Sequence, residues 1–160
     1  IYIAKACHLK EESILNGLKD LEMTKMRTQL ISVKNAYILD DTYKSNPESA
    51  KAAIDTLMEL PANKHIAILS DMLDLGSEEK QLHYDVGVYA KEKGVDELYC
   101  TGPLSKETAE GFNGKWYETK DEIYEACKPL LDKDCIIMIK GSRAMKMDTL
   151  VDAFRGKNNE

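Results

Sequence analysis

Asp40 and Asp41 stand side by side at the end of an apolar run in ILDDTYKSNPES, and Tyr43, Asn46 and Pro47 follow within one short loop. Two carboxylates make a poor seat for a phosphate alone. Ribose hydroxyls donate to carboxylates, a tyrosine ring stacks on a base or lines its pocket, and a carboxamide both donates and accepts, so the set suits a nucleoside. Magnesium held by the carboxylates is a second option. A third is purely local: Asp41 and Asn46 make turn and capping bonds, as such side chains commonly do.

Two further loops carry unusual chemistry. In ILSDMLDLGSEE, Asp71 ends an apolar run and Ser77 is placed to cap a helix whose first turn holds Glu78 and Glu79. His83, one turn further on, is either a proton carrier or a packed structural histidine beside Leu82 and Val86; the second reading is preferred. In IKGSRAMKMD, Lys140 ends the most apolar run, Gly141 permits close backbone approach, Ser142 can cap, and Arg143 offers a planar fork for a carboxylate. The loop is either an anion or peptide-carboxylate site or a strand exit with two surface cations.

Other engines are missing. No GxxxxGK[ST] or GxGxxG follows a strand, GFNGKW has the wrong spacing for a phosphate loop, and no Ser-His-Asp or Cys-His set stands out. His8, His65 and His83 lack metal-ligand spacing, so no metal site is expected. Cys7, Cys100, Cys127 and Cys135 form no CxxC pair and read as buried, reduced thiols. A formal charge of -6, without a basic stretch interleaved with aromatics, argues against nucleic acid as a partner. The apolar runs fall short of the roughly 20 residues a membrane-spanning helix needs, and Ile1 opens no signal-peptide pattern, so no membrane insertion and a cytoplasmic location are expected.

The elements that must position these loops alternate along the chain. Ile1 to Ala6 reads as the end of a helix and KEESILNGLKDL as a short second one, with Met23 to Arg27 as connector. TQLISV and AYILDD, linked by Lys34-Asn35 with the asparagine taking positive φ, predict an antiparallel hairpin. PESAKAAIDTLMEL follows as a helix, with Asn46 at its N-cap, Pro47 in its first position and Pro61 as its stop. Then come strand HIAILS, a helix to Gly94, strand DELYCTG, helix SKETAEGF, a weak strand KWYET, helix KDEIYEACKPLLDK, strand CIIMIKG and a closing helix AMKMDTLVDAF. Strands apolar on both sides, alternating with amphipathic helices, predict an α/β fold: a mainly parallel sheet of about six strands, one of them antiparallel, with helices on both faces. In such a sheet, ligands bind at the carboxyl edge, where the three loops gather.

Taken together and in this order, ILDDTYKSNPES, ILSDMLDLG followed by HYDVG, and IKGSRAMKMD resemble the carboxy-terminal, Rossmann-like domain of the Mur ligases. The corresponding segments of the members that add D-alanyl-D-alanine typically read DDxYNANPxS, GDMxELG with HxxVG, and KGSRxM. MRTQ at 26–29 resembles the family's arginine-bearing connector. The resemblance implies that residues 1–26 are the tail of a central ATP-binding domain and its connector, 27–157 the carboxy-terminal domain and 158–160 a frayed tail.

It further implies ATP-dependent amide formation in peptidoglycan precursor synthesis, with UDP-N-acetylmuramoyl-tripeptide and D-alanyl-D-alanine as substrates and ATP and magnesium as companions. The family's phosphate loop and magnesium ligands lie upstream, in amino-terminal and central domains of the same polypeptide, so this chain alone should not turn over. Carried over, Arg27 would be catalytic, reaching the nucleotide phosphates or ribose, where its charge can stabilise the transferring phosphoryl group; Asp41, Tyr43 and Asn46 would form the nucleotide side of the cleft; Lys140, Ser142 and Arg143 would face the dipeptide; Asp71 and His83 would shape the cleft. Lys44-Ser45 stands where the family has Asn-Ala, Ser70 where it has Gly, and Lys25 where it has a small residue. Two other readings compete: a stand-alone nucleotide- or peptide-binding domain without catalysis, and a small Rossmann-like oxidoreductase or transferase, against which the missing glycine fingerprint argues.

Overall fold

The computed structural model describes residues 6–19 and 25–156. The helix end expected from Ile1, the start of the connector at Met23 and the tail beyond Gly156 lie outside them.

Helix α1 (Glu11–Lys19) precedes a hairpin of β1 (Gln29–Val33) and β2 (Ala36–Asp41). After α2 (Pro47–Glu59) come β3 (His65–Ser70), α3 (Glu79–Glu92), β4 (Glu97–Thr101), α4 (Ser105–Phe112), β5 (Lys115–Tyr117), α5 (Lys120–Cys127), β6 (Ile136–Lys140) and α6 (Asp148–Phe154). The six strands form one sheet in the order β1-β2-β6-β3-β4-β5. Only the β1–β2 pair is antiparallel; every other pairing is parallel.

Alternation along the strands sorts the core into two layers. Ile38, Ile68, Ile137 and Ile139 pack on one face with Ile123 and Cys127 of α5 and Leu150, Val151 and Phe154 of α6. Leu39, Ala67, Leu69 and Met138 pack on the other with Ile54 and Leu57 of α2, Val86 of α3 and Ala109 of α4. All five residues of β6 are buried, which explains a run as apolar as IIMI. The edge strand β1 alternates half-buried and exposed, with Leu30 and Ser32 on its exposed side.

Local chemistry sets the boundaries. Asn46 caps α2 by accepting from the Ser49 amide at 2.8 Å, while Ser49 Oγ accepts from the Asn46 amide at 3.0 Å. The helix stops at Glu59 because Leu60, before Pro61, is extended. In the hairpin link it is Lys34, at φ 52°, and not Asn35, that takes the left-handed conformation; the Asn35 amides are instead turned to the carbonyls of Leu131 and Asp132.

Two helix starts differ from expectation. Ser77 caps nothing: it lies within a 3-10 turn, Gly76–Glu78, and neither that turn nor α3 has a side-chain cap. The closing helix begins at Asp148 and not at Ala144, because a 3-10 turn over Arg143–Met145 ends at Lys146 in the left-handed region. Pro129 similarly tightens the end of α5 into a 3-10 turn at Lys128–Leu130.

Helices α3 and α4 meet through glycines. A Cβ on Gly87 would lie 2.1 Å from the Thr108 carbonyl oxygen, and one on Gly111 would lie 2.3 Å from that of Tyr84. Cys100, Cys127 and Cys135 are buried free thiols as expected, and burial pushes the Cys127 thiol up to about 12; Cys7 is exposed.

Candidate functional site

The carboxyl ends of β2 and β6 are joined by a buried ion pair. Lys140, 2% exposed, donates to Asp41 Oδ2 at 2.5 Å and to the Lys44 carbonyl at 2.8 Å. The other Asp41 oxygen accepts from the Thr28 amide at 3.1 Å, and the Tyr43 amide donates to the Met26 carbonyl at 3.1 Å. Residues 26–28 are thereby stapled onto the loop after β2. Arg27 sits between two left-handed residues, Met26 at φ 65° and Thr28 at φ 48°, a conformation that costs a β-branched residue on the order of 1 kcal/mol or more. Its guanidinium carbon lies 4.4 Å from the centre of the Tyr43 ring.

Arg27, Asp41, Tyr43, Asn46 and Lys140 line one open cavity of about 450 Å³ against α2. Five residues singled out in the sequence thus converge, although Lys140 joins the Asp41 side and not the loop that follows it. Asp40 turns to the opposite face of the sheet, where it accepts from the Thr42 amide and hydroxyl. Burial pushes its carboxyl above the ordinary value despite those bonds, and Asp148 and Asp41 push it further.

The other loops are built from behind. Asp71, 2% exposed, accepts from both the amide and the hydroxyl of Ser105, at 2.8 and 2.7 Å, and so caps α4 from outside the helix. Gly102, at φ +108°, leaves room for that carboxylate; a Cβ there would come within 2.4 Å of it. His83 is fully buried and has both ring nitrogens engaged: Nε2 accepts from the Met72 amide at 2.9 Å, and Nδ1 lies 2.6 Å from the Glu79 carbonyl. Only the neutral ring with its proton on Nδ1 satisfies both contacts. The geometry of His83 is that of a strut under the loop and not of a proton carrier.

Ser142 does not cap the turn it begins; its hydroxyl accepts from the Leu73 amide at 3.0 Å, and its own amide donates to the Asp71 carbonyl at 3.1 Å. The second and third loops are therefore tied together. Arg143 projects outward, its side chain 58% exposed, with Nη1 2.9 Å from Asp148 Oδ2 and 3.4 Å from Met26 Sδ. Ser70, in the place of the family's glycine, buries a hydroxyl with no partner among the described residues, and a Cβ on Gly141 would lie 1.9 Å from it.

Sequence reasoning missed three residues here. Asp148 closes the quoted IKGSRAMKMD run and had that one signal. Lys120 and Thr28 had none, because their contacts are with backbone atoms of distant segments or with a residue 13 positions away.

A mainly parallel α/β sheet with its charged loops gathered over a cavity at the carboxyl edge defines a Rossmann-like domain. The chain belongs to the Mur ligase family: the model described as "Mur ligase, glutamate ligase domain" matches residues 26–143. It is 30% identical over 142 residues to the UDP-N-acetylmuramoyl-tripeptide--D-alanyl-D-alanine ligase of Rickettsia prowazekii, covering 86% of this chain and 32% of that protein. Its fold resembles a MurF crystal structure from Acinetobacter baumannii, with a TM-score of 0.81 at 26% identity over 97% of this chain and 35% of that one. A MurF ligase from Thermotoga maritima in complex with ADP superposes with a TM-score of 0.79 at 22% identity, over 97% of this chain and 36% of that one. The chain spans about a third of the length of the curated relatives it matches. No described helix is long and apolar enough to cross a membrane.

Proposed function

We propose that residues 27–157 are the carboxy-terminal domain of an ATP-dependent ligase that joins D-alanyl-D-alanine to UDP-N-acetylmuramoyl-tripeptide in the cytoplasm, residues 1–26 being the tail of a preceding central domain. The observation that carries the reading is the convergence of Arg27, Asp41, Tyr43, Asn46 and Lys140 on one cavity in a chain of this family.

In the reaction, the peptide carboxylate takes the γ-phosphoryl group of ATP and ADP departs; the dipeptide amine then attacks the acyl phosphate and inorganic phosphate leaves. This domain supplies charge and closure. Asp41 has one fixed donor on each oxygen, Lys140 and Thr28, and retains lone pairs for ribose hydroxyls. Tyr43, 46% exposed, offers a ring face to the base. Arg27 brings a permanent positive charge to the phosphates, where it stabilises the transferring group.

Arg143 is the contact for the dipeptide carboxylate, since its Nη1 is committed to Asp148 and its other nitrogens have no partner among the described residues. Ser142 holds that turn against Leu73, and Lys140 acts from below by fixing Asp41. Among the described residues no three acidic, histidine or cysteine side chains converge to hold a metal ion. The strained residues on either side of Arg27 sit where the domain would swing to bring amine and acyl phosphate together and exclude water.

The test is steady-state kinetics of the natural full-length polypeptide with ATP, UDP-N-acetylmuramoyl-tripeptide and D-alanyl-D-alanine. ADP release should require both other substrates, and Arg27→Ala and Asp41→Ala should cut kcat/KM for ATP by about a hundredfold, the scale of a lost charge-stabilising contact. Unchanged kinetics in both variants would remove the nucleotide assignment.

A further inference from the structure

Around Arg143 the chain places charged groups at sites where each is costly taken alone. Lys120 is the first residue of α5, where the helix dipole disfavours a cation, and burial lowers its pKa. Lys146 adopts φ 49° with neither a glycine nor an asparagine there to ease it. Asp148 buries one carboxylate oxygen with no partner among the described residues.

The three costs make sense as one device. The Lys120 ammonium donates to the Lys146 carbonyl at 3.0 Å and to the Met145 carbonyl at 3.3 Å, reaching across from α5 to the turn that carries Arg143. The Lys146 carbonyl also accepts from the hydroxyl of Thr149 at 2.8 Å and from its amide at 3.2 Å, so the strained residue is held by three donors. Asp148, on the far side of the same turn, accepts from Arg143 Nη1 through Oδ2 at 2.9 Å. Its charge also acts favourably on Lys120.

We propose that Lys120 and Asp148 are positioning residues for Arg143, Lys120 fixing the backbone of its turn and Asp148 holding its guanidinium in one orientation. The proposal rests on the reading of Arg143 as the dipeptide-carboxylate contact. Without Lys120, the Met145 carbonyl loses its side-chain donor and Lys146 loses one of three. Without the Asp148 charge, a guanidinium that is 58% exposed has no carboxylate among the described residues to choose among its rotamers. Neither residue touches the dipeptide, so the effect is on how well Arg143 meets it.

The experiment compares Arg143→Ala, Asp148→Asn, Lys120→Met, Lys120→Arg and the double variant Arg143→Ala/Asp148→Asn in the full-length ligase. Asp148→Asn and Lys120→Met should each raise KM for D-alanyl-D-alanine about tenfold, as for residues coupled within one network, with KM for ATP and kcat within about twofold of the parent. Lys120→Arg should restore most of the affinity, because a guanidinium can also reach two carbonyls. The double variant should be no weaker than Arg143→Ala alone.

If Arg143→Ala weakens the dipeptide while Asp148→Asn and Lys120→Met do not, the positioning role is wrong and the site reading stands. If Arg143→Ala leaves the dipeptide KM unchanged, both fall together. A uniform loss of affinity for all three substrates, or a lowered melting temperature with Lys120→Arg failing to rescue, marks Lys120 as merely structural and overturns its part of the proposal; Asp148→Asn, beside an exposed guanidinium, then decides the other part.

Discussion

Lys140 and Asp41 are register partners at the ends of β6 and β2, and their side chains close the sheet edge with a 2.5 Å ion pair. The two are buried unequally: the lysine side chain is 2% exposed and the aspartate 17%. Removing the aspartate strands an ammonium in the interior with only the Lys44 carbonyl, whereas removing the lysine leaves a carboxylate that keeps its Thr28 donor and some water. Asp41→Ala should therefore cost about 3 kcal/mol or more, and Lys140→Met about 1–2 kcal/mol. Urea midpoints measure both, and equal losses would show that the lysine is better solvated than its burial implies.

The contact of α3 with α4 gives a sharper steric test. Because the atom that a Gly87 Cβ would meet at 2.1 Å is backbone, neither helix can yield by turning a side chain. Gly87→Ala should lower stability by about 1–3 kcal/mol through overpacking, a fall in Tm of roughly 2–10 °C for a chain of this size. Gly17 of α1 is the control: nothing lies within 4 Å of its Cβ position, so Gly17→Ala should be neutral or slightly stabilising.

His83 separates a strut from a catalyst. If it only carries the loop, His83→Ala should cost about 2–4 kcal/mol from the lost bonds and cavity, and hydrogen exchange at the Met72 amide, which His83 Nε2 now accepts, should accelerate most. Loss of turnover with unaltered exchange at Met72 would instead restore the proton-carrier reading.

The parts of the fold legible in the sequence are those in which one residue's chemistry decides one local outcome. Strands β3, β4 and β6 are apolar on both faces because both faces are covered, and Asn46-Pro47 starts α2 because a cap and a fixed φ act within four residues. Legibility ends where a donor finds its partner through space. Ser77 reads as a cap, yet His83 from α3 and Ser142 from the next loop secure residues 72 and 73 instead. Asp71 has no local use at all, since the helix it caps begins 34 residues later. The grouping of Lys140 with Arg143 follows chain order, but β6 ends at Lys140 and Arg143 begins a 3-10 turn, so the two side chains part, one to Asp41 and the other to Asp148.

Asp40 makes the buried edge of the sheet sensitive to pH in a defined direction. Its carboxyl is raised above 3.8 first by burial, against the two Thr42 bonds, and then by the neighbouring Asp148 and Asp41. A raised acid binds its proton more tightly in the folded chain than in the unfolded one, so the unfolded chain ionises first as pH rises. Its contribution to stability is therefore greatest below the unfolded value and declines as pH rises to the raised folded value, beyond which it is flat. Asp40→Asn keeps an acceptor for the Thr42 amide and hydroxyl while removing the titration. The stability difference between variant and parent should then shift in the variant's favour as pH rises from about 3.8 through that window, and stay constant above it. Urea midpoints at a series of pH values measure the difference directly; a parallel pair of curves would mean that Asp40 is solvated enough to ionise at its ordinary value, and that the edge of the sheet beside Asp148 is open to water.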